Sequence, residues 1–301
     1  MSKLAVDILI HPIGELATAI ASDAPLHGAE MATISRSTNS AIAVLDGKFV
    51  HCGSADEVLD LVELKPDGNH FDASGKLVIP GLVDPHTHLV FAGNRANEFS
   101  MRCQGRSYQE IAKAGGGIVA SMNATQGASV EKLVELGAKR LRRMLSHGTT
   151  SCEVKTGYGL SSDSELNMMR AIFQLAQTQD VELVPTFMPA HAFPPGVDHK
   201  EYIRSIKQDM LPSLAALVKD GTARGIKHIF QDVFCDEGYF SLDETRDILQ
   251  AGLEYGFQPK VHSDEFVSLG ATALAVELHA ASADHLLNVS ESEMELLASS
   301  D

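Results

Sequence analysis

The chain is short of positive charge, short of cysteine and without a long apolar run, and each shortage closes off a class of function. Only 24 lysines and arginines stand against 40 aspartates and glutamates, a formal net charge of −16 over 301 residues. A surface of that sign disfavours nucleic acid and anionic membranes and suits a soluble protein with a small-molecule partner. No stretch approaches the ~18 consecutive apolar residues of a membrane span. The N-terminal MSKLAVDILIHPIG is broken by Asp7, His11 and Pro12 and offers no small-residue cleavage site, so no secretory leader is expected. The four cysteines (Cys52, Cys103, Cys152, Cys235) are far apart and form no Cys-x-x-Cys. That fits reduced thiols in the cytoplasm better than disulfides. Internal repeats and low-complexity tracts are also missing. What remains is 44% hydrophobic and 21% charged, ordinary for one large core or two domains.

Residues 1–76 read as a small β-rich domain of short strands and turns. AVDILI and SAIAVLDGKFVHCG are β-rich, and Asp46-Gly47 is a hairpin signal. From Leu77 the pattern changes, and 77–301 reads as a second domain. KLVIPGLVD is followed by a glycine-rich excursion (Gly115, Gly116, Gly117) and the helical SVEKLVELGAKRLRRMLSHG. Then come TTSCEVKT, a helix over about 162–178, VELVPTFMPA, a helix over about 198–219, and HIFQDVFCD. A helix over 241–255, FQPKVHSD, a helix over 268–279, ASADHL and a final polar segment, SESEMELLAS, complete the chain. Near-continuous apolar strands alternating with amphipathic helices imply a parallel sheet covered by helices.

A doubly wound sheet satisfies that pattern, but the polar residues favour a (β/α)8 TIM-type barrel. His86, His88, Lys155, His191, Asp236, His262 and His285 all fall at or just past the C-terminal end of a strand, the rim where barrels build their chemistry. Six strand–helix units are visible where a barrel has eight, and Leu77–Asp301 is shorter than the ~250 residues of a typical whole barrel. The barrel is therefore expected to lack its C-terminal units here.

His86 and His88 stand one residue apart after an apolar strand. Side chains at i and i+2 share a face, so the two imidazoles form a chelating pair for a divalent metal, or else are two unrelated loop histidines. His262 is the natural third ligand, since a catalytic zinc takes three protein ligands and keeps a position for water. Glu265, in the turn beyond it, can take a proton from that water and pass it to a leaving nitrogen, and His285 can orient or deprotonate the same water. Arg95 can hold a substrate carboxylate in a fork, Tyr158 lies between two glycines that let the backbone approach a ligand, and His191 can hydrogen-bond a carbonyl oxygen. Each has a plainer reading as a satisfied or solvated side chain. Lys155 and Asp236 read as structural residues or as outer-shell supports of the site.

VIPGLVDPHTHLVFAGNRANEF, GGGI at 115–118, GTTSCEVKTGYGL, TFMPAHAFP, DVFCDEGYFS, KVHSDEF and ASADHL, in this order, resemble the imidazolonepropionase family of the amidohydrolase superfamily. The resemblance covers nearly the whole chain. It implies hydrolysis of the cyclic amide C–N bond of 4-imidazolone-5-propanoate to N-formimidoyl-L-glutamate in histidine degradation, with one zinc or iron ion. By motif, His86, His88 and His262 would bind the metal, and Glu265 and His285 would handle water activation and proton transfer. Arg95, Tyr158, His191 and Glu265 would hold the substrate. Thr156, and Met188-Pro189, depart from the family's usual residues. The family's fourth ligand, an aspartate ending the eighth strand before an Asn-Pro-Gly segment, would lie beyond Asp301. The activity is therefore expected of the full-length protein rather than of these residues alone. No nucleic-acid or membrane partner is expected, and a homodimer is left open. The alternatives are another amidohydrolase (a deaminase or cyclic-amide hydrolase), or a metal-binding or inactive fragment.

Overall fold

A computed structural model describes residues 2–20, 22, 25–107, 110 and 116–300. Gly115 of the glycine-rich excursion and the terminal Asp301 lie outside the described residues. The chain divides into two compact units, Met1–Gly81 and Leu82–Asp301.

In the first unit β1 (Leu4–Ala19), β2 (Ile34–Ser37), β3 (Ser40–Leu45), β4 (Lys48–Ser54) and β5 (Val62–Val78) form one sheet. The order is β2-β1-β3-β4, with β5 parallel to β1. Asp46 and Gly47 join β3 to β4 with φ of 51° and 71°, the left-handed pair a two-residue hairpin requires. Alternation along β3 splits the apolar side chains. Ala41 and Ala43 pack with Val6, Leu9 and Val62, whereas Ile42 packs with Ile13 and Leu16. Helix α1 (Ala55–Leu61) adds Ala55 and Val58 to the first cluster.

The expectation of short strands fails at both ends of this unit, where β1 runs 16 residues and β5 runs 17. Pro12 and Pro66-Asp67-Gly68 are residue types that commonly make turns. They are instead absorbed as register shifts, between Ile10 and Ile13 and between Val6 and Ile8, where β5 steps from Leu64 to Asn69. A bulge takes up extra residues without ending a strand.

The second unit is a parallel sheet of β6 (Leu82–Asp84), β7 (Thr149–Lys155), β8 (Glu182–Ala190), β9 (Phe230–Cys235), β10 (Gln258–Ser263) and β11 (Ala283–His285). Helices α2 (Ala96–Cys103), α3 (Ile118–Gln126) and α4 (Val130–Ser146) lie between β6 and β7, and α5 (Ser162–Thr178) follows β7. After β8, α6 (His199–Ser205) continues through a π-turn at Ile206–Met210 into α7 (Leu211–Lys219). Helices α8 (Leu242–Leu253), α9 (Ala271–Glu277) and α10 (Glu291–Ala298) follow β9, β10 and β11. Side chains from α5, such as Met169 and Phe173, pack with Phe187, Leu214, Val233 and Val261 in one continuous core.

Spatial order equals chain order, β6 to β11. A doubly wound sheet requires a reversal of strand order, and none occurs along this path. The sheet also curls. His86, just past β6, and Asp284, on β11, are five strand steps apart, about 24 Å on a flat sheet at ~4.8 Å per step. Yet His86 Nδ1 is 2.9 Å from Asp284 Oδ2. This is a curled parallel sheet of the TIM-barrel type.

Two local expectations are corrected. KLVIPGLVD is not one strand: Leu77 and Val78 end β5, paired with Glu15 and Leu16, and the parallel sheet begins at Leu82. Pro80 has no N–H to give a ladder, so the apolar run splits there. The helix expected over 268–279 is confined to Ala271–Glu277, bracketed by left-handed Gly270 (φ 89°) and His279 (φ 50°). The final polar segment forms α10, started by a capping box in which Ser290 and Glu293 satisfy each other's backbone N–H. Among the described residues no helix is long and apolar enough to cross a membrane.

Candidate active site

The carboxyl ends of the six parallel strands carry the polar residues. His86 and His88 follow β6, Lys155 ends β7, His191 follows β8, Asp236 follows β9, His262 lies in the last turn of β10, and His285 ends β11. Thr87 explains why the first two share a direction. Its carbonyl accepts from Lys155 N at 2.8 Å and its hydroxyl donates to the Glu153 carbonyl at 2.5 Å. Thr87 is thereby fastened to β7, and its two neighbours turn the other way.

His86, His88 and His262 each bring one ring nitrogen to within 4.8 Å of the others. In His86 and His88, Nδ1 is committed to an oxygen. His86 Nδ1 is 2.9 Å from Asp284 Oδ2, and His88 Nδ1 donates to the Thr156 carbonyl at 2.9 Å. His191, stacked on His88 at 4.4 Å, donates from Nδ1 to the Gly157 carbonyl at 3.0 Å. His262 Nδ1 lies 2.9 Å from Asp232 Oδ2, outside good hydrogen-bond geometry, and among the described residues neither ring nitrogen finds a hydrogen-bond partner although the residue is 1% exposed. Orphaned buried nitrogens are costly, and an oxygen on Nδ1 is how ligating imidazoles are oriented. The donor set fits a divalent metal ion.

Burial also keeps His88, His191 and His262 neutral, with lone pairs available. It takes His191 down to about 3, and it takes His262 down to about 4 against the opposing pull of Asp232. His88 is pushed well below the ordinary imidazole value by burial, with repulsion from His191 and His262 adding to it.

Beneath the imidazoles lies a layer of charge that the sequence reading missed. Lys155, expected as a structural or outer-shell residue, is fully buried, and its Nζ donates to Glu153 at 2.9 Å, Asp232 at 2.6 Å and Asp284 at 2.9 Å. Lys260 Nζ is 3.0 Å from Glu153. Burial opposes the charge on Lys155, Asp232 and Asp284. Even so, His262 and Lys155 hold Asp232 well below the usual carboxylate range, His86 and Lys155 do the same for Asp284, and the three carboxylates hold Lys155 above its ordinary value. The signal was present in the sequence: Glu153 with Lys155, and Lys260 with His262, are i, i+2 pairs inside apolar strands and so share a face.

Two buried carboxylates shape the loops above. Glu165 accepts from the backbone N–H groups of Gly157 (3.0 Å), Gly159 (2.6 Å) and Leu160 (2.8 Å), and so fixes the loop of Tyr158. Glycine is required there, since a Cβ on Gly157 would meet His191 Cβ at 2.8 Å and one on Gly159 would meet Glu165 N at 2.6 Å. The Tyr158 ring sits 5.3 Å from His88 and 5.4 Å from His191, centroid to centroid. Asp236 plays the same part for the turn after β10, accepting from Glu265, Phe266 and Val267 N at 3.0, 2.8 and 3.2 Å.

Glu265 Oε2 thereby stands 3.4 Å from His285 Nε2, and the His285 ring is 4.9 Å from His86 and 4.8 Å from His262. His285 is pushed down by burial, with Glu265 opposing. Leu160, Asp264, His285 and Leu286 all have left-handed backbones (φ 47°, 51°, 76° and 57°), and residues held so cost ~1–3 kcal/mol each and cluster at functional sites. Arg95 stands apart from the imidazoles. It caps α2, donates from Nε to Ser121 Oγ at 3.1 Å, and is felt by Tyr158 as a positive charge. Among the described residues its terminal nitrogens make no hydrogen bond, so the fork is open. The structure thus brings together seven of the expected residues around the imidazoles and leaves Arg95 on the flank.

No family model matches the chain. It is similar to the imidazolonepropionases of Symbiobacterium thermophilum (46% identical over 295 residues, 97% of this chain and 67% of that protein) and Alkaliphilus oremlandii (41% over 298 residues, 98% and 68%). Among solved structures it is similar in fold to an amidohydrolase from a Sargasso Sea sample (TM-score 0.58, 15% identical, 97% of this chain and 62% of that one). A guanine deaminase from C. acetobutylicum (0.57, 14%, 96% and 64%) and a zinc-bound adenosine deaminase from Xanthomonas campestris (0.55, 14%, 99% and 61%) are similar to the same degree. The chain spans about two thirds of the length of these relatives.

Proposed function

The chain belongs to the imidazolonepropionase family, and on that footing we propose that it supplies most of the active site of a metal-dependent hydrolase opening the ring of 4-imidazolone-5-propanoate. The product is N-formimidoyl-L-glutamate, an intermediate of histidine degradation. The observation that carries the reading is the set of three imidazoles, His86, His88 and His262, with ring nitrogens within 4.8 Å of one another and, in His86 and His88, Nδ1 held by an oxygen.

These three residues would hold one ion, zinc or iron, which when bound supplies Lewis acidity and a water of lowered pKa. Water adds across the amide: its oxygen bonds to the ring carbonyl carbon, the ring C–N bond breaks, and the nitrogen gains a proton. Glu265 would take the proton from water and return it to the leaving nitrogen, and His285, 3.4 Å from it, would share or orient that proton. His191 has its Nδ1–H spent on Gly157, which leaves Nε2 as the nitrogen that would help hold the ring. Tyr158 closes over the same side, and Arg95 offers its free fork to the propanoate. The complete (β/α)8 barrel, with a further aspartate ligand from its eighth strand, belongs to this proposal. So does a cytoplasmic setting, supported by four free cysteines of which the buried pair, Cys152 and Cys235, is pushed up to about 12 and about 11.

The test is metal content and turnover of the full-length protein. His262→Ala should lose most bound metal while its circular dichroism stays native. One equivalent of tightly bound metal in that variant would refute the site.

A further inference from the structure

We propose that Lys155 is a positioning residue for the metal-binding imidazoles. Its ammonium clamps Asp232 and Asp284, and through them sets the orientation of His262 and His86. The inference rests on the metal reading of the site and adds to it the group that pre-organises two of the three ligands.

The geometry is specific to single atoms. Asp232 Oδ2 is 2.6 Å from Lys155 Nζ and 2.9 Å from His262 Nδ1. Asp284 Oδ2 is 2.9 Å from Lys155 Nζ and 2.9 Å from His86 Nδ1. Each carboxylate therefore shares one oxygen between the ammonium and an imidazole. The other oxygen is used to fix the carboxylate: Asp232 Oδ1 accepts from His262 N at 3.1 Å, and Asp284 Oδ1 accepts from Ser282 Oγ at 2.8 Å. The third ammonium proton goes to Glu153 Oε1, which Thr186 and Lys260 also hold. Three protons meet three carboxylate oxygens, and the side chain is fully buried. The clamp ties β7 to β9 and β11, the strands on which the two carboxylates sit. His88 is oriented by a backbone carbonyl, outside this clamp.

Removing the ammonium leaves Asp232 and Asp284 as like charges in one interior, with only the imidazoles themselves against either Oδ2. His86 would then lose the fixed acceptor on its Nδ1, and His262 the carboxylate seated 2.9 Å from its Nδ1. Losses of this kind typically weaken metal binding 10–100-fold. A purely structural lysine would lower the melting temperature and leave the metal's surroundings alone.

The experiment uses the full-length protein with zinc and with cobalt as a spectroscopic probe. Lys155→Met should weaken zinc binding by ~10–100-fold in chelator competition and alter the visible cobalt spectrum. Asp284→Ala should do likewise, and the double variant should lose less than the product of the two single losses, because both act on one pathway. A zinc affinity within twofold of wild type and an unchanged cobalt spectrum for Lys155→Met would overturn the proposal, as would multiplicative losses. If Lys155→Met does not fold, Asp232→Ala and Asp284→Ala carry the test, and unchanged zinc affinity in both overturns it. Wild type that binds no zinc or cobalt would instead refute the metal site itself, and this inference with it.

Discussion

Asp236→Asn separates the stability of the turn after β10 from the binding of metal. Asp236 accepts four backbone N–H groups, two on each oxygen: Glu265 at 3.0 Å and Phe266 at 2.8 Å on Oδ2, Glu237 at 2.7 Å and Val267 at 3.2 Å on Oδ1. Asparagine keeps one oxygen and puts an NH₂ in place of the other. Whichever way the amide turns, two N–H donors then face a donor. A hydrogen bond to a charged acceptor is worth ~1.5–3 kcal/mol, so two losses set an upper range of ~3–6 kcal/mol. The turn is only partly buried, with Phe266 54% exposed, so water can replace part of this, and about 2–4 kcal/mol of local destabilisation is expected. The amides of Glu265, Phe266 and Val267 should exchange with deuterium faster by a corresponding factor. Glu265 would drift from His285, and a misplacement of about 1 Å can cost ~10²-fold in kcat. The bound metal should stay at the wild-type level, because Asp236 touches none of the three imidazoles. Exchange rates within threefold of wild type together with unchanged kcat would refute the claim that this carboxylate holds Glu265 in place.

Glu265→Gln in the full-length enzyme should lower turnover by ~10²–10⁴ with metal content intact; near-normal kcat would assign the proton transfer to His285 alone. Arg95→Met should cost ~2–4 kcal/mol in kcat/KM and Arg95→Lys less, since the charge survives without the fork. A substrate analogue lacking the carboxylate should be nearly indifferent to Arg95→Met, and equal losses on both substrates would make Arg95 a support of α2 instead. Asp232 and Asp284 are held below their ordinary value of 3.8 in the folded protein, so the unfolded chain takes up their protons first as pH falls. Their stabilisation is complete above that ordinary value and is lost progressively below about pH 4. The melting temperature should therefore fall less steeply below about pH 4 in Asp284→Ala than in wild type, and parallel curves would show that the Asp284 carboxylate is not held low in the fold.

The rim of the site was legible because it is written locally. Each candidate residue follows an apolar strand within a few positions, and strand direction alone sends it to one end of the sheet. The same locality made the helices at 162–178 and after Ser129 readable, since both have an apolar face along a single segment. The charged layer was not legible in this way. Its contacts join residues as far apart as His86 and Asp284, 198 positions along the chain, and they exist only because the sheet curls far enough to bring its first and sixth strands together. Strand ends at Pro80 and the long β1 and β5 were misread for a related reason. Proline and glycine mark a change of backbone, and whether it becomes a turn or a bulge depends on the neighbouring strand.

A part of the hidden layer could still have been inferred from energetics. Glu153, Lys155, Asp232 and Lys260 each interrupt an apolar strand, and a charge that enters a core alone is too costly to keep. Strands with such charges on one face must therefore pair them with one another, which itself requires a concave sheet whose interior faces meet. The three acids, Glu153, Asp232 and Asp284, outnumber the two lysines by one. That excess is carried at the top of the layer, where Asp232 and Asp284 each turn an oxygen to an imidazole. A surplus negative charge behind His86 and His262 strengthens both as donors toward a cation, so the imbalance that looks unfavourable for the fold is what suits the site to metal.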